Sequence, residues 1–209
     1  NKTGNGYTLT ASSSPSLTGA TSTAFNITPG VASTLAFGQQ PTNTASAATF
    51  TPALTVRIED GLGNLTSSTA NVTLAVGTNP GGGTLSGTTT VAAVAGVATF
   101  SNLSIDKAGT GYTLAASSTG LTGATSTTFN ITAGAASKLV FGQQPTNTTA
   151  GDAITPAVTV RIEDAVGNLT TSTANVTLAI GTNPGSGTLS GTTTVAAVAG
   201  VATFSDLSI

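Results

Sequence analysis

Apolar and polar residues alternate along short stretches of this chain. In LTVRIE (54–59), Leu54, Val56 and Ile58 fall on one side and Thr55, Arg57 and Glu59 on the other. In NVTLAV (71–76), Val72, Leu74 and Val76 alternate with polar or small residues; YTLTA (7–11) and YTLAA (112–116) do the same through Tyr and Leu. TLAFG contributes Leu35 and Phe37, and TFNIT contributes Phe129 and Ile131. A period of two is that of a half-buried strand. Gly, Asn and Pro clusters punctuate the pattern, as in DGLGN (60–64), GTNPGGG (77–83) and AGTG (108–111), and these are turn signals. Helical spacing is absent, and the abundance of Thr and Val favours strands. The pattern predicts an all-β chain with Val56, Ile58, Leu74 and Phe100 in its core.

The pattern also repeats. FGQQPTN stands at 37–43 and 141–147, TVRIED at 55–60 and 159–164, and LSGTTTVAAVAGVATFS at 85–101 and 189–205. The offset is 141 − 37 = 104 residues; GYTL at 6–9 recurs at 111–114, an offset of 105. Solenoid coils repeat every ~20–50 residues, so this period is that of a domain. Roughly six to eight strands per period predict a β-sandwich for each copy. Boundaries are expected in the turn-rich NITPGVAS (26–33) and NITAGAAS (130–137). The expected division is then 1–30, the C-terminal part of a preceding repeat; 31–133, a complete repeat; and 134–209, the N-terminal part of a following one.

VATFSDLSI (201–209) restates VATFSNLSI (97–105), which runs on into DKAGTGYTLAASS. This predicts that repeats join head to tail, through a covalent array or through strand complementation between subunits, with lateral bundling as a further contact. A front lacking the strands found in 1–30 is expected to expose core side chains such as Phe204 and Leu207.

Composition narrows the chemistry. The 209 residues include no Cys, His, Met or Trp, which removes thiol and imidazole ligands and the usual general base. Charged residues are 6% of the chain, against roughly 25% in ordinary soluble domains. With a net charge of −2, there is no basic footprint for nucleic acid. No apolar run approaches the ~18 residues of a membrane span. Thr and Ser supply about a third of the residues. No catalytic residue and no cofactor site is expected.

PALTVRIEDGLGNLTSSTANVTLAV, followed by GTLSGTTTVAAVAGVATFSNLSIDKAGTGYTLAAS, resembles bacterial Ig-like repeats of the invasin/intimin type, found in tandem arrays of large surface adhesins. The likeness runs through Asp-x-x-Gly-Asn at a strand end, a VTL strand, GTLSG, a GVATF hairpin and AGTGYTL, in both copies. It implies tandem Ig-like sandwiches of Greek-key topology, used as a rod or spacer on the bacterial surface. The binding domains, anchor and leader such proteins carry are not among these residues. The same words have physical readings. Asp60 and Asp164 close a strand and can bond the following turn, where Gly63 and Gly167 supply φ > 0. Gly96 and Gly200 permit a tight hairpin.

Glu59, Asp60, Glu163 and Asp164 are weak candidates for calcium, which takes about 6–8 oxygens. Acids are sparse, and a strand end with an Asp-capped turn accounts for these residues equally, so no metal is expected. Lys107 and Lys138 are candidates for an isopeptide crosslink or for solvated surface; Lys138 aligns with Thr34, so such a link would not repeat. N-x-[ST] sequons stand at Asn26, Asn64, Asn71, Asn102, Asn130, Asn168 and Asn175, a number that a Thr-rich chain generates by chance. TSTT and GTTT read as solvent-facing β-Thr rather than as a flat Thr array. Two functions fit: a structural extracellular fibre, stalk or biofilm-matrix filament, and an adhesin whose loops contact a host, glycan or cell-surface receptor. Binding surfaces favour exposed aromatic or charged anchors. With two Tyr and seven Phe, nearly all at core-facing positions, the structural function is expected, outside the cell.

Overall fold

A computed structural model describes residues 1–15 and 17–209. Among them there is no helix, and so none long and apolar enough to cross a membrane. The strands in 1–30 are β1 (Gly4–Tyr7), β2 (Thr10–Ala11), β3 (Ala20–Thr21) and β4 (Phe25–Ile27). Next come β5 (Ala32–Gln39), β6 (Thr44–Ala45), β7 (Leu54–Asp60), β8 (Asn71–Val76), β9 (Leu85–Ser86) and β10 (Thr90–Ala92). They are followed by β11 (Val97–Phe100), β12 (Ser104–Ile105), β13 (Gly109–Tyr112), β14 (Leu114–Ser117), β15 (Ala124–Thr125) and β16 (Phe129–Thr132). The last group is β17 (Lys138–Gln143), β18 (Val158–Glu163), β19 (Asn175–Thr177), β20 (Thr194–Ala196) and β21 (Val201–Phe204).

Strands β5 to β16 build an Ig-like sandwich. One layer is β5-β7-β11; the other is β10-β8-β14-β15, continued by β13-β16-β6. The chain passes between layers at β5–β6, β6–β7, β7–β8, β10–β11 and β11–β13, a Greek-key arrangement. Strand β6 pairs in parallel with β16, Ile131 opposite Thr44. The strand pieces outnumber the expected strands because single strands are interrupted. Only Thr113 separates β13 from β14, and its N–H leaves the ladder for the carbonyl of Thr78 at 3.2 Å.

The alternation read in 54–60 is the alternation observed: Leu54, Val56, Ile58 and Asp60 are buried, the residues between them half-buried. Val72 and Leu74 meet them from the other layer, with Phe50, Phe100, Tyr112, Leu114, Phe129 and Ile131 filling the space between. Phe50 and Phe129 pack edge to face with centroids 5.4 Å apart. The Ala95–Gly96 turn, with φ of 48° and 82°, is tight because Gly96 lies against the Thr66 carbonyl, where a Cβ would collide.

A second core gathers Ile154, Val158, Val160, Ile162, Val176, Ala197, Ala202, Phe204 and Leu207. Its layers are β17-β18-β21 and β19-β20. The expectation that Phe204 and Leu207 would be bare is wrong. Phe204 lies opposite Val158 in the β18–β21 ladder, and both side chains sit inside this cluster. The strand whose apolar side chains are bare is β17, with Leu139, Val140 and Phe141 all exposed. Their counterparts on β5 are covered: the N–H of Leu35 donates to the Thr122 carbonyl at 2.9 Å, in the connection between β14 and β15. Tyr7, Phe25 and Phe141 are therefore exposed aromatics, at core positions of the repeat where a facing element is absent from this structure.

Candidate functional site: the junction between repeats

The Asp-x-x-Gly-Asn turn after β7 and after β18 is the most polar buried feature of the molecule. Asp60, Asn64, Asp164 and Asn168 are all buried, and buried polar groups need partners. One carboxylate oxygen of Asp60 accepts the N–H groups of Leu62 and Asn64, each at 2.9 Å. This is the expected Asp-capped turn, with Gly63 at φ 74° supplying the left-handed step. The other oxygen reaches upstream to the N–H of Gly30 at 2.8 Å and accepts the Asn64 side-chain amide at 3.0 Å. That amide also donates to the carbonyl of Asn1 at 3.2 Å, while its own oxygen accepts the N–H of Thr3 at 3.3 Å.

The second junction repeats the arrangement. Asp164 accepts Val166 N–H at 3.0 Å, Asn168 N–H at 2.8 Å, Gly134 N–H at 2.9 Å and the Asn168 amide at 2.8 Å. Asn168 donates to the carbonyl of Asp106 at 2.9 Å and accepts the N–H of Ala108 at 3.0 Å. Asp106 and Ala108 align with Asn1 and Thr3 by the offset of 105, so equivalent atoms meet at both junctions. Two contacts are added at the second. Ser46 Oγ donates to Asp164 at 2.6 Å, and the Lys107 ammonium donates to the Val166 carbonyl at 3.0 Å.

Both carboxyls are held well below the ordinary 3.8. At Asp60 the side-chain amide of Asn64 is the main cause, with the N–H groups of Asn64, Gly30 and Leu62 adding to it and burial opposing. At Asp164 burial is the largest influence and pushes upward; the hydrogen bonds from Ser46, Asn168 and Gly134 outweigh it.

Glu59 and Glu163 do not join their neighbouring aspartates. Arg57 Nε lies 3.2 Å from Glu59, on the half-buried face that the alternation assigns to both, and Arg161 Nε lies 3.4 Å from Glu163, which is itself buried. Among the described residues no three acids come together as metal ligands would. Lys107 meets a backbone carbonyl, and Lys138 approaches the same turn at Gly167. Among these sequons, Asn64 and Asn168 have their amides buried in the junction. GTTT contributes Thr90 and Thr194, whose hydroxyls bond those of Thr73 and Thr177 across the strands at 2.8 and 2.9 Å, as cross-strand Thr pairs do.

Reading the sequence assigned the Asp to its turn but missed Asn64, Asn168 and Ser46 as contacts between repeats. The available signal was the recurrence of the turn and of the Lys-x-Gly segment (Lys2–Gly4, Lys107–Gly109) at near-equal offsets.

No protein-family model matches the chain, and no curated protein matches it. Among solved structures it is similar to domains 4–9 of the surface layer protein SbsC, at 18% identity and a TM-score of 0.34, over 79% of this chain and 26% of that one. It is also similar to the Escherichia coli adhesin FdeC, at 19% identity and a TM-score of 0.41, over 88% of this chain and 59% of that one. The chain thus spans less than two thirds of either structure.

Proposed function

We propose that this chain is a segment of a stiff extracellular fibre, stalk or matrix filament, built from Ig-like repeats of the 31–133 kind joined head to tail. The observation that supports this reading is the junction: the same Asp–Asn contacts bind one repeat to the next at both places where repeats meet. A flexible string of domains needs only a linker between them. Here each junction buries a charged and an amide side chain: the amide bonds backbone groups of the preceding repeat, and the carboxylate bonds its own turn and the linker at Gly30 or Gly134, with the Ser46 hydroxyl added at the second junction. Such a joint sets the angle between neighbours, and a set angle repeated along a chain gives a rod. The low charge suits close packing of identical units, since little self-repulsion opposes it.

The adhesin reading lacks a comparable feature. Exposed large side chains on the turns, among them Leu62, Val94, Val166 and Val198, are scattered singly, as on most surfaces. Small-angle scattering tests the proposal. A straight rod whose cross-section is that of one sandwich is expected. A profile requiring free articulation between units would overturn it.

A further inference from the structure

The FGQQPTN motif (37–43) ties the start of the complete repeat to its end. The Gln40 side-chain oxygen accepts the N–H of Thr127 at 3.0 Å and its hydroxyl at 3.4 Å. The Asn43 side-chain oxygen accepts the N–H of Asn130 at 2.7 Å. These two oxygens stand in for backbone carbonyls on either side of Pro41, in the gap between β5 and β6, where the strand is interrupted.

Backbone bonds flank the two amides. Toward the start, the N–H of Leu35 donates to the Thr122 carbonyl at 2.9 Å, and the N–H of Thr122 to the Ser33 carbonyl at 2.8 Å. Toward the end, Thr44 and Ala45 pair in parallel with Ile131 and Thr132, and the N–H of Ser46 donates to the Thr132 carbonyl at 2.8 Å. The Ser46 hydroxyl accepts the N–H of Gly134 at 3.1 Å. The register holds throughout. Thr34 opposes Thr122 in a parallel bridge, Gln40 meets Thr127 and Asn43 meets Asn130 across 87 residues, and Ser46 meets Gly134 across 88. Segments 33–46 and 122–134, the first and last stretches of the repeat, therefore run side by side in the same direction.

That direction matters under load. Tension along repeats joined head to tail enters this sandwich before residue 33 and leaves it after residue 134. It draws the two parallel segments lengthwise past one another, so all the bonds between them are strained together. Antiparallel neighbours pulled from one end open bond by bond instead. We propose that the paired segments 33–46 and 122–134 are a tension-bearing clamp, with Gln40 and Asn43 as its side-chain pins, and that the complete repeat resists being pulled open along the fibre. The pins lie at the surface and add little to equilibrium stability. Their effect is on forced unfolding, which follows the unfolding rate. The inference rests on the fibre reading only for the source of the tension.

Single-molecule force spectroscopy on the 209-residue polypeptide, held at its two ends, tests the clamp. The complete sandwich is identified by a length gain on the order of 300 Å, from about 100 residues at ~3.3–3.6 Å each less the folded length. Its rupture is expected to be the highest-force event. Gln40→Ala with Asn43→Ala should unfold roughly tenfold faster at a fixed load, while the denaturant midpoint moves little; Asn43→Ala alone serves if the double variant does not fold. The chain has no cysteine, so Leu62→Cys with Val94→Cys, at exposed positions after β7 and before β11, supplies a second pair of handles. Pulling there parts the antiparallel β7 and β11 and leaves the clamp unloaded. A lower force, unchanged by the alanine variant, is expected. Equal rupture forces in the two geometries would overturn the proposal, as would an alanine variant as resistant end to end as the parent. A variant weakened alike in both geometries would overturn it too, since the loss would then be one of general stability. A straight rod in scattering would leave the fibre reading standing in each of these cases.

Discussion

Ser46 and Asp164 stand 118 residues apart in sequence and meet at 2.6 Å, hydroxyl to carboxylate. Ser46 follows β6 in the complete sandwich, and Asp164 closes β18 in the next unit. The same Asp164 oxygen accepts the N–H of Gly134 in the linker between them. One carboxylate thus fixes three pieces of chain whose relative placement defines the angle between repeats.

Cutting this joint should loosen the contact between repeats without unfolding the sandwiches. Asn168→Ala leaves the Asp106 carbonyl and the Ala108 N–H without their partner. The expected local cost is about 1–3 kcal/mol, the usual result of stranding such groups. The core of the complete sandwich contains no junction residue, so its melting transition should persist. Spin labels placed on either side of the junction should give a broader distance distribution in the variant than in the parent. An unchanged distribution would show that the angle is set by something other than Asn168.

The same joint should weaken in acid. The carboxyls of Asp60 and Asp164 are depressed in the folded state, so the folded form binds fewer protons than the unfolded form at low pH. Their contribution is complete well above the ordinary value of 3.8 and is lost as pH falls below it toward the folded values. Melts between about pH 7 and about pH 2 should show stability flat at first and then falling through this range. Asp60→Asn with Asp164→Asn should begin lower at neutral pH and fall less steeply. An equal slope in parent and variant would place the acid sensitivity elsewhere.

How far the sequence could be read depended on the range of the interaction. Leu54, Val56 and Ile58 announce their face through alternation alone, and all three are buried. Gly96 announces its turn through the residue type that the turn requires. The error over Phe204 and Leu207 concerned which side of a sandwich lies open, and that depends on pairing between strands distant in sequence. Phe204 lies beside Val158 and is buried in one cluster with it, while Leu139 to Phe141, which are exposed, read locally like any core strand. Asn168 and Ser46 were beyond reach for a related reason. Their partners belong to another repeat, and no local pattern encodes the placement of one repeat against the next.

Equivalent positions in the two copies should respond unequally to the same change. Phe100 is fully enclosed, so Phe100→Ala should cost roughly 3–5 kcal/mol. Tyr112→Ala should be of the same order, because the ring is buried and stacked on Phe129. Tyr7→Ala removes the identical residue of the other hairpin, where it is exposed, and should cost under about 1 kcal/mol in the monomer. Denaturant titrations of the three variants give the comparison, and equal losses at Tyr7 and Tyr112 would contradict the burial described above.

Chelation should leave the molecule unchanged. The oxygens of Asp60 and Asp164 are already engaged by N–H and hydroxyl donors, which present hydrogens where a cation would need lone pairs. Glu59 and Glu163 lie beside arginines. EDTA is therefore expected to shift neither melting temperature nor scattering profile. A loss of several degrees restored by Ca²⁺ would show that the turn rearranges to bind metal.

A polypeptide spanning 31–133 should fold by itself. Every member of the first core, from Leu35 to Ile131, falls inside it, as do both layers and the parallel β6–β16 pair. About 100 residues bury enough surface to sustain a domain. Its losses are at the margins: Asp60 would give up Gly30, and Ser46 would give up Asp164, each a few kcal/mol at most. The span 1–105 has nearly the same length and should not melt as one unit. It omits Tyr112, Leu114, Phe129 and Ile131, all core members, and β14, the central partner of β8. Its own hairpin does not enter that core: Tyr7, Leu9, Phe25 and Ile27 are exposed, and only the preceding Asn1 and Thr3 bond Asn64. Circular dichroism melts of the two polypeptides decide the matter. A cooperative transition for 31–133 alone is expected; cooperativity in 1–105 with none in 31–133 would move the repeat boundary to the other end of the sandwich.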